Sequence, residues 1–166
     1  MRNGRTGKQS DSTKSDRWMS LAIRYLARRD RTAAQVEQFL LRKGAEPAQT
    51  QQTIGRLSDL RYLNDGAYAA RWIVTRLDRR PMGRERLEAE LLLQGVPEAV
   101  AGRAIREALR DLDEDTLAHR ALAVMRRTGR QLTPAQSVRL LRQRGFEEET
   151  IDRMLGDRMR HEECDR

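Results

Sequence analysis

The residues of this chain best suited to chemistry are a cluster of glutamates and a crowd of arginines. Glu85, Glu88 and Glu90 form the densest carboxylate group, and a metal-dependent nuclease would use such a group to hold its ions. Glu85 and Glu88 stand three apart and can share a helix face, whereas Glu90 points elsewhere. Arginines interleave with the group, so a salt-bridged surface accounts for it better than a metal site. The two histidines, His119 and His161, have no cysteine or histidine spacing fit for zinc, and His119 reads as an exposed residue on a helix. Cys164 has no base near it in sequence beyond His161. Neither a GxxxxGKS/T loop nor a GxGxxG loop occurs. Asp111, Asp113, Glu114 and Asp115 read as a helix start, where acids favour the macrodipole. The residues therefore predict no catalytic group, no bound metal and no cofactor.

The cations are more informative. Arg71, Arg76, Arg79, Arg80, Arg84 and Arg86 face only Asp78 and Glu85 within their stretch, a net of +4. A guanidinium offers a planar fork of donors that fits phosphates and the carboxylates of a protein partner. The competing account is an ordinary solvated face in an arginine-rich chain. Arg126, Arg127 and Arg130 form a second group, for which a helix C-terminus is reason enough, since cations there oppose the macrodipole. Tyr68 and Trp72, four apart, read as core more readily than as a base-stacking platform. Trp18 reads as core of the first helix or as a cap over the end of the fold.

The elements that must position these groups are helices. Hydrophobic residues make up 38% of the 166, aromatics 4% and charged residues 35%. That composition suits helices that each bury a narrow stripe and keep a broad solvated face. Leu, Ala, Arg, Glu and Gln dominate, and β-branched residues are scarce. The formal charge of +8 points toward a polyanionic partner. A single cysteine allows no internal disulfide and fits a reducing compartment. No run reaches the ~20 apolar residues of a membrane span, and residues 1–16 lack a signal-peptide core. A cytoplasmic protein is expected.

One pattern recurs three times. Gly44, Gly95 and Gly145 stand 51 and 50 residues apart. Four positions before each lies a leucine (Leu40, Leu91, Leu141), and ten after lies an aliphatic residue (Ile54, Ile105, Leu155). Twelve before lies a helix-start residue: Thr32, Gly83 or Thr133. Thr32 with Gln35 and Thr133 with Gln136 fit capping boxes, Pro134 suits a first helical position, and Gly83 is the weaker cap. The glycines suit the left-handed residue that ends a helix, followed by an apolar contact from Ala45, Val96 or Phe146. Helices are predicted at 33–43, 84–94 and 134–144. They are preceded by helices at 16–29, 65–79 and 114–127, and followed by helices at 48–60, 98–111 and 147–158. Such short helices cannot stand alone. The expected fold is all-α: tandem repeats of three-helix units over 16–60, 61–111 and 112–158, forming an elongated, curved array. A disordered tail over 1–15, a C-terminal tail over 159–166 and hinges near 61–64 and 111–114 complete the expectation.

The stretch Leu60-Arg61-Tyr62-Leu63-Asn64-Asp65-Gly66-Ala67-Tyr68-Ala69 resembles the hallmark of the RecX family. The likeness continues through Trp72-Ile73, Arg76, Gly83-Arg84-Glu85-Arg86-Leu87, Glu90-Leu91 and Gly95-Val96, and covers about residues 20–156. Asn64 replaces the first of the usual paired acids, and Pro81 and Met82 depart from a small residue and an aromatic, so the loop they form is expected to be set differently. The resemblance implies a non-catalytic regulator in recombination, DNA repair and the SOS response. It implies three-helix repeats that enter the groove of RecA filaments on single-stranded DNA and suppress ATP hydrolysis and strand exchange. The partners expected are the RecA filament and, secondarily, single-stranded DNA bound without sequence preference. Neither a membrane nor a small-molecule substrate is expected, and monomer is the default state. Two further readings compete. An independent DNA binder would use the helix–Gly–helix element as a helix-turn-helix, although residues 49–54 carry no charge and 147–149 are acidic. An adaptor for an acidic protein would bind with salt sensitivity and without nucleic acid.

Overall fold

A computed structural model describes the backbone of residues 7–127, 129 and 132–154, with side chains from residue 16 onward in that range. The helices are α1 (Gly7–Leu26), α2 (Ala33–Arg42), α3 (Pro47–Asp59), α4 (Asp65–Arg79), α5 (Arg84–Leu93), α6 (Glu98–Ala108), α7 (Glu114–Arg127) and α8 (Pro134–Gln143). A further helix, α9, occupies 148–154. Among the described residues there is no strand, so the chain is an all-α helical-repeat fold. The residues fall into two compact units. One comprises Met1–Tyr68 with Gln94–Val96, the other Ala69–Leu93 with Pro97–Arg166.

Helix ends follow the local chemistry. Gly44, Gly95 and Gly145 have φ of 90°, 81° and 70°, the left-handed geometry that a side chain resists. At Gly44 the turn closes with Gly44 N–H to Leu41 O and Ala45 N–H to Leu40 O, and at Gly145 with the equivalent pair, both Schellman motifs. The end of α3 uses the same pair of bonds, from Arg61 N–H to Ser58 O and Tyr62 N–H to Leu57 O. Its left-handed residue, however, is Arg61, at φ 59°. The first helix starts at Gly7, nine residues before the predicted start; neither proline nor glycine interrupts 8–26, so nothing stops the helix growing backwards from its apolar stripe.

In the first unit Trp18, Ala22, Val36, Leu40, Ala45, Leu57 and Leu63 make the core. Trp18 is thus core, and its indole N–H donates to Gln49 Oε1 at 3.0 Å. The cap of α2 reaches beyond its own helix. Thr32 Oγ1 accepts from Gln35 N–H and donates to the carbonyl of Gln94 at 2.8 Å. The Gln35 amide also donates to Gln94, at its carbonyl and its Oε1. The expected capping box at Thr32 is not formed: the Gln35 side chain, which would accept the Thr32 N–H, instead turns its NH2 to the acceptors of Gln94. At Thr133 the box is complete.

The second unit repeats this contact with other atoms. Gly83 N–H donates to the carbonyl of Arg144 at 2.9 Å. Gln94 and Arg144 each immediately precede a repeat glycine, so Thr32 and Gly83, which are themselves equivalent, dock on the same carbonyl of the following repeat. A Cβ on Gly83 would lie 1.9 Å from the Gly145 oxygen. Glycine stands there because two backbones touch. Leu117, Ala118, Ala121, Leu122, Leu141, Phe146, Ile151 and Met154 form a core in this unit, with Leu77 and Leu109 packed on it.

An acid lies at each contact. Asp65, first in α4, accepts the N–H of Ala33, first in α2, at 2.9 Å. Asp65 thus satisfies a donor that the helix of the preceding repeat cannot satisfy itself. Glu114, first in α7, accepts from the Thr150 hydroxyl at 3.4 Å and lies near the backbone N–H groups of Arg84, first in α5, and of Glu147. Burial raises the pKa of both carboxyls, with Glu147's charge adding at Glu114. Pro134, first in α8, has no N–H to offer. Asn64 caps in its turn, accepting from Ala67 N–H at 2.9 Å.

Candidate partner-binding surface

The basic residues singled out in the sequence lie on α4, α5, α7 and the connections after them, and they differ in what already holds them. Arg76 sits one turn after Trp72, its guanidinium 5.0 Å from the indole centroid. Its Nε and Nη2 both donate to Glu90 Oε2, at 3.0 and 2.6 Å. Arg86, four before Glu90 on α5, donates from Nε to Oε1 at 2.9 Å. Glu90 is 8% exposed. Burial opposes its ionisation, but the hydrogen bonds and charges of the two arginines outweigh that and hold its pKa below the ordinary value. The ion-paired trio keeps one net positive charge, and Arg76 and Arg86 are spoken for. Trp72 is half-buried beneath Arg76 rather than in the core, and Tyr68 is half-buried too.

A cation not anticipated from the sequence lies beside these groups. Arg144 is 6% exposed. Its Nη1 donates to Pro81 O at 3.0 Å, its Nη2 lies 3.9 Å from Met125 Sδ, and its Nε has no partner among the described residues. Burial, with the charge of Arg80 adding, lowers its pKa, although a guanidinium remains charged. Arg144 ties the segment after α4, next to Arg80, to the end of α7, next to Arg126. Pro81 and Met82 are fully packed in that connection. The only hint in the sequence was position: Arg144 precedes a repeat glycine, where Lys43 and Gln94 stand in the other copies.

Arg79, Arg80, Arg84, Arg126 and Arg127 are exposed and form no ion pair with another described residue. Arg71 is exposed on α4 and has interactions within the fold. Arg130 lies outside the described residues. Of the nine arginines picked from the sequence, five are thus available to carboxylates or phosphates. The metal reading fares worse. Glu90 is consumed by arginines, and among the described residues no three His, Cys, Asp or Glu side chains converge on a metal-sized site. His119 is exposed on α7, as expected, while His161 and Cys164 lie outside the described residues. No helix among the described residues is long and apolar enough to cross a membrane.

The family profile described as RecX, first three-helix domain, matches residues 19–57, and that of the second three-helix domain matches 64–109. The chain belongs to the RecX family. It is 33% identical over 135 residues to the regulatory protein RecX of Treponema pallidum (strain Nichols), with 81% of each chain covered. It is 36% identical over 128 residues to the regulatory protein RecX of Thermus thermophilus, covering 77% of this chain and 82% of that one. The crystal structure of RecX from Lactobacillus salivarius superposes with a TM-score of 0.73 at 19% identity, over 88% of this chain and 97% of that one. At that identity the likeness speaks for the RecX fold. The two matched domains coincide with α1–α3 and α4–α6.

Proposed function

We propose that the chain binds RecA filaments on single-stranded DNA and inhibits their ATP hydrolysis and strand exchange, as a non-catalytic, cytoplasmic monomer. The observation that carries this reading is the match to both RecX three-helix domains, in a family whose relatives bear the name of regulatory proteins. The exposed arginines of the second unit support it, because guanidinium forks serve carboxylates of a filament subunit and phosphates of its DNA alike. Single-stranded DNA is the secondary, sequence-independent partner, held through phosphates. A body that binds one filament state better than another shifts the filament toward that state and hinders the cycling that hydrolysis and exchange require.

The test is co-sedimentation with preformed RecA filaments, with ATP hydrolysis followed in the same samples and bare single-stranded DNA at equal salt as control. Tighter binding to the filament with slowed hydrolysis is expected, and reversal of charge at Arg79, Arg80 and Arg126 should weaken both. Arg76 is the wrong residue to reverse, since that change would also strand Glu90. Equal affinity for bare DNA with unchanged hydrolysis would overturn the proposal and favour an independent DNA binder.

A further inference from the structure

The first unit carries a cleft of about 400 Å³ between α1 and α2, lined by Leu21, Arg24, Tyr25, Arg28, Phe39 and Lys43. That volume lies in the range of small-ligand sites, and no lining residue is acidic. Tyr25 and Phe39 stack with centroids 4.0 Å apart and planes 5° from parallel. Arg31 covers the other face of Tyr25, 4.3 Å from its centroid. The stack therefore ends on Phe39, whose ring is approached by the Lys43 ammonium, 5.9 Å away. Cations at helix C-termini are favourable on their own account, which would explain Arg24 and Lys43. It gives no reason to leave two parallel rings half-buried between them.

We propose that this cleft takes one nucleotide of a single-stranded nucleic acid, its base extending the Arg31–Tyr25–Phe39 stack and its phosphates meeting Arg24, Arg28 and Lys43. Flat rings accept any base, and the cations track a backbone. An acidic peptide would satisfy the cations, but it has no use for a coplanar ring stack. The inference rests on the proposed function for the kind of polymer, and it places a nucleic-acid contact on the first unit, in addition to the arginines of the second.

The experiment uses the full chain and a fluorescent oligothymidylate, with anisotropy measured across a salt series. Phe39→Leu keeps an apolar side chain in the core contact and removes the ring. It should weaken binding about tenfold, the loss of one base stack, with little change in salt slope. Lys43→Glu, on the exposed rim, should weaken binding and flatten the slope by about one; as a surface change it keeps the test valid should Phe39→Leu unfold the chain. A 5-iodouracil oligonucleotide should crosslink to Tyr25 or Phe39. Unchanged affinity in both variants, or crosslinks confined to the second unit, would overturn the inference. So would a polyglutamate peptide competing with the oligonucleotide at equal concentration. RecA filament binding is scored separately: variants that lose bare oligonucleotide yet still sediment with filaments support the cleft. A wild-type chain that ignores filaments defeats the proposed function and leaves the cleft to be judged by the oligonucleotide alone.

Discussion

Replacing Gly83 by threonine sets the sequence pattern against the structure. The other two repeats have threonine at this cap, and by cap preference alone Gly83→Thr should gain a few tenths of a kcal/mol. The structure predicts a loss. The new Cβ would lie 1.9 Å from the Gly145 carbonyl oxygen, 2.5 Å from its carbon and 2.7 Å from Phe146 Cα. All three are backbone atoms, so no side chain can swing away. A Cβ essentially never comes within 3.0 Å of such an atom, so the start of α5 and the Gly145 turn would have to part by about 1 Å. Overpacking of that kind costs about 1–3 kcal/mol. The Gly83–Arg144 backbone bond stretches with it, at about 1 kcal/mol, and Arg144 loses its footing on Pro81. A net loss of about 3 kcal/mol is expected, or roughly 6–12 °C in Tm for a chain of this size. Urea titration and thermal melts followed by circular dichroism would measure it. Gly83→Ala should fall nearly as far, because the offending atom is the Cβ, whereas Thr133→Gly should cost well under 1 kcal/mol. If Gly83→Thr melts at or above wild type, the backbone contact is not what glycine is there for.

The glycines ending α2 and α8 should separate strain from packing. Both are left-handed, so alanine costs about 1–2 kcal/mol at either, but a Cβ finds open space at Gly44 and lies 2.5 Å from Arg86 N at Gly145. Gly145→Ala should therefore lose at least about 2 kcal/mol more than Gly44→Ala in urea, and equal losses would refute the close approach. Arg61→Gly should stabilise by up to about 1 kcal/mol, since Arg61 holds φ 59°; a measured loss would mean its side chain outweighs the backbone strain. Glu90→Gln should cost about 1–2 kcal/mol at neutral pH, because its arginines are nearly half exposed. Glu90's folded pKa is lowered, so its contribution is whole above the ordinary glutamate value and fades as pH falls through the folded one. Glu114 has the opposite sign. With its pKa raised, wild type gains on Glu114→Gln as pH drops toward the ordinary value, and parallel pH profiles for the two variants would refute at least one of the two assignments.

The sequence made the helices legible where both of their ends carry a chemical mark. Helices predicted at 65–79 and 114–127 begin and end there, because Asp65 and Glu114 open them and basic residues close them. α1 lacks a start signal, and its beginning was misplaced accordingly. What spacing could not show was anything that joins one repeat to the next. The Asp65 bond to Ala33 spans 32 residues and the Thr32 bond to Gln94 spans 62, beyond the reach of a cap or i, i+4 rule. Glu90 is salt-bridged by arginines, as the interleaved cations suggested, but its burial and its second partner were not legible. It lies four residues after Arg86, which puts one cation in range, but its second arginine comes from another helix.

Gly83 shows most clearly why repeat comparison has to be read with the contact in view. Ranked as a cap it is the poorest of the three. As a docking surface it does with its own N–H what Thr32 does with a hydroxyl, and it reaches the equivalent carbonyl. A hydroxyl stands off the backbone by the length of a side chain, whereas an N–H brings the backbone itself into contact. Glycine is then required on one side by the missing Cβ and on the other, at Gly145, by the left-handed turn. Thr133 carries the same cap in the copy whose first helical residue is proline, and there the Gln136 amide turns back to close its own box. At α2 the Gln35 amide reaches across to Gln94 instead, while Asp65 and Thr32 satisfy the N–H groups of Ala33 and Gln35. One column of the repeat thus holds three solutions to the same unsatisfied helix end, and the neighbour available to each decides which residue suits it.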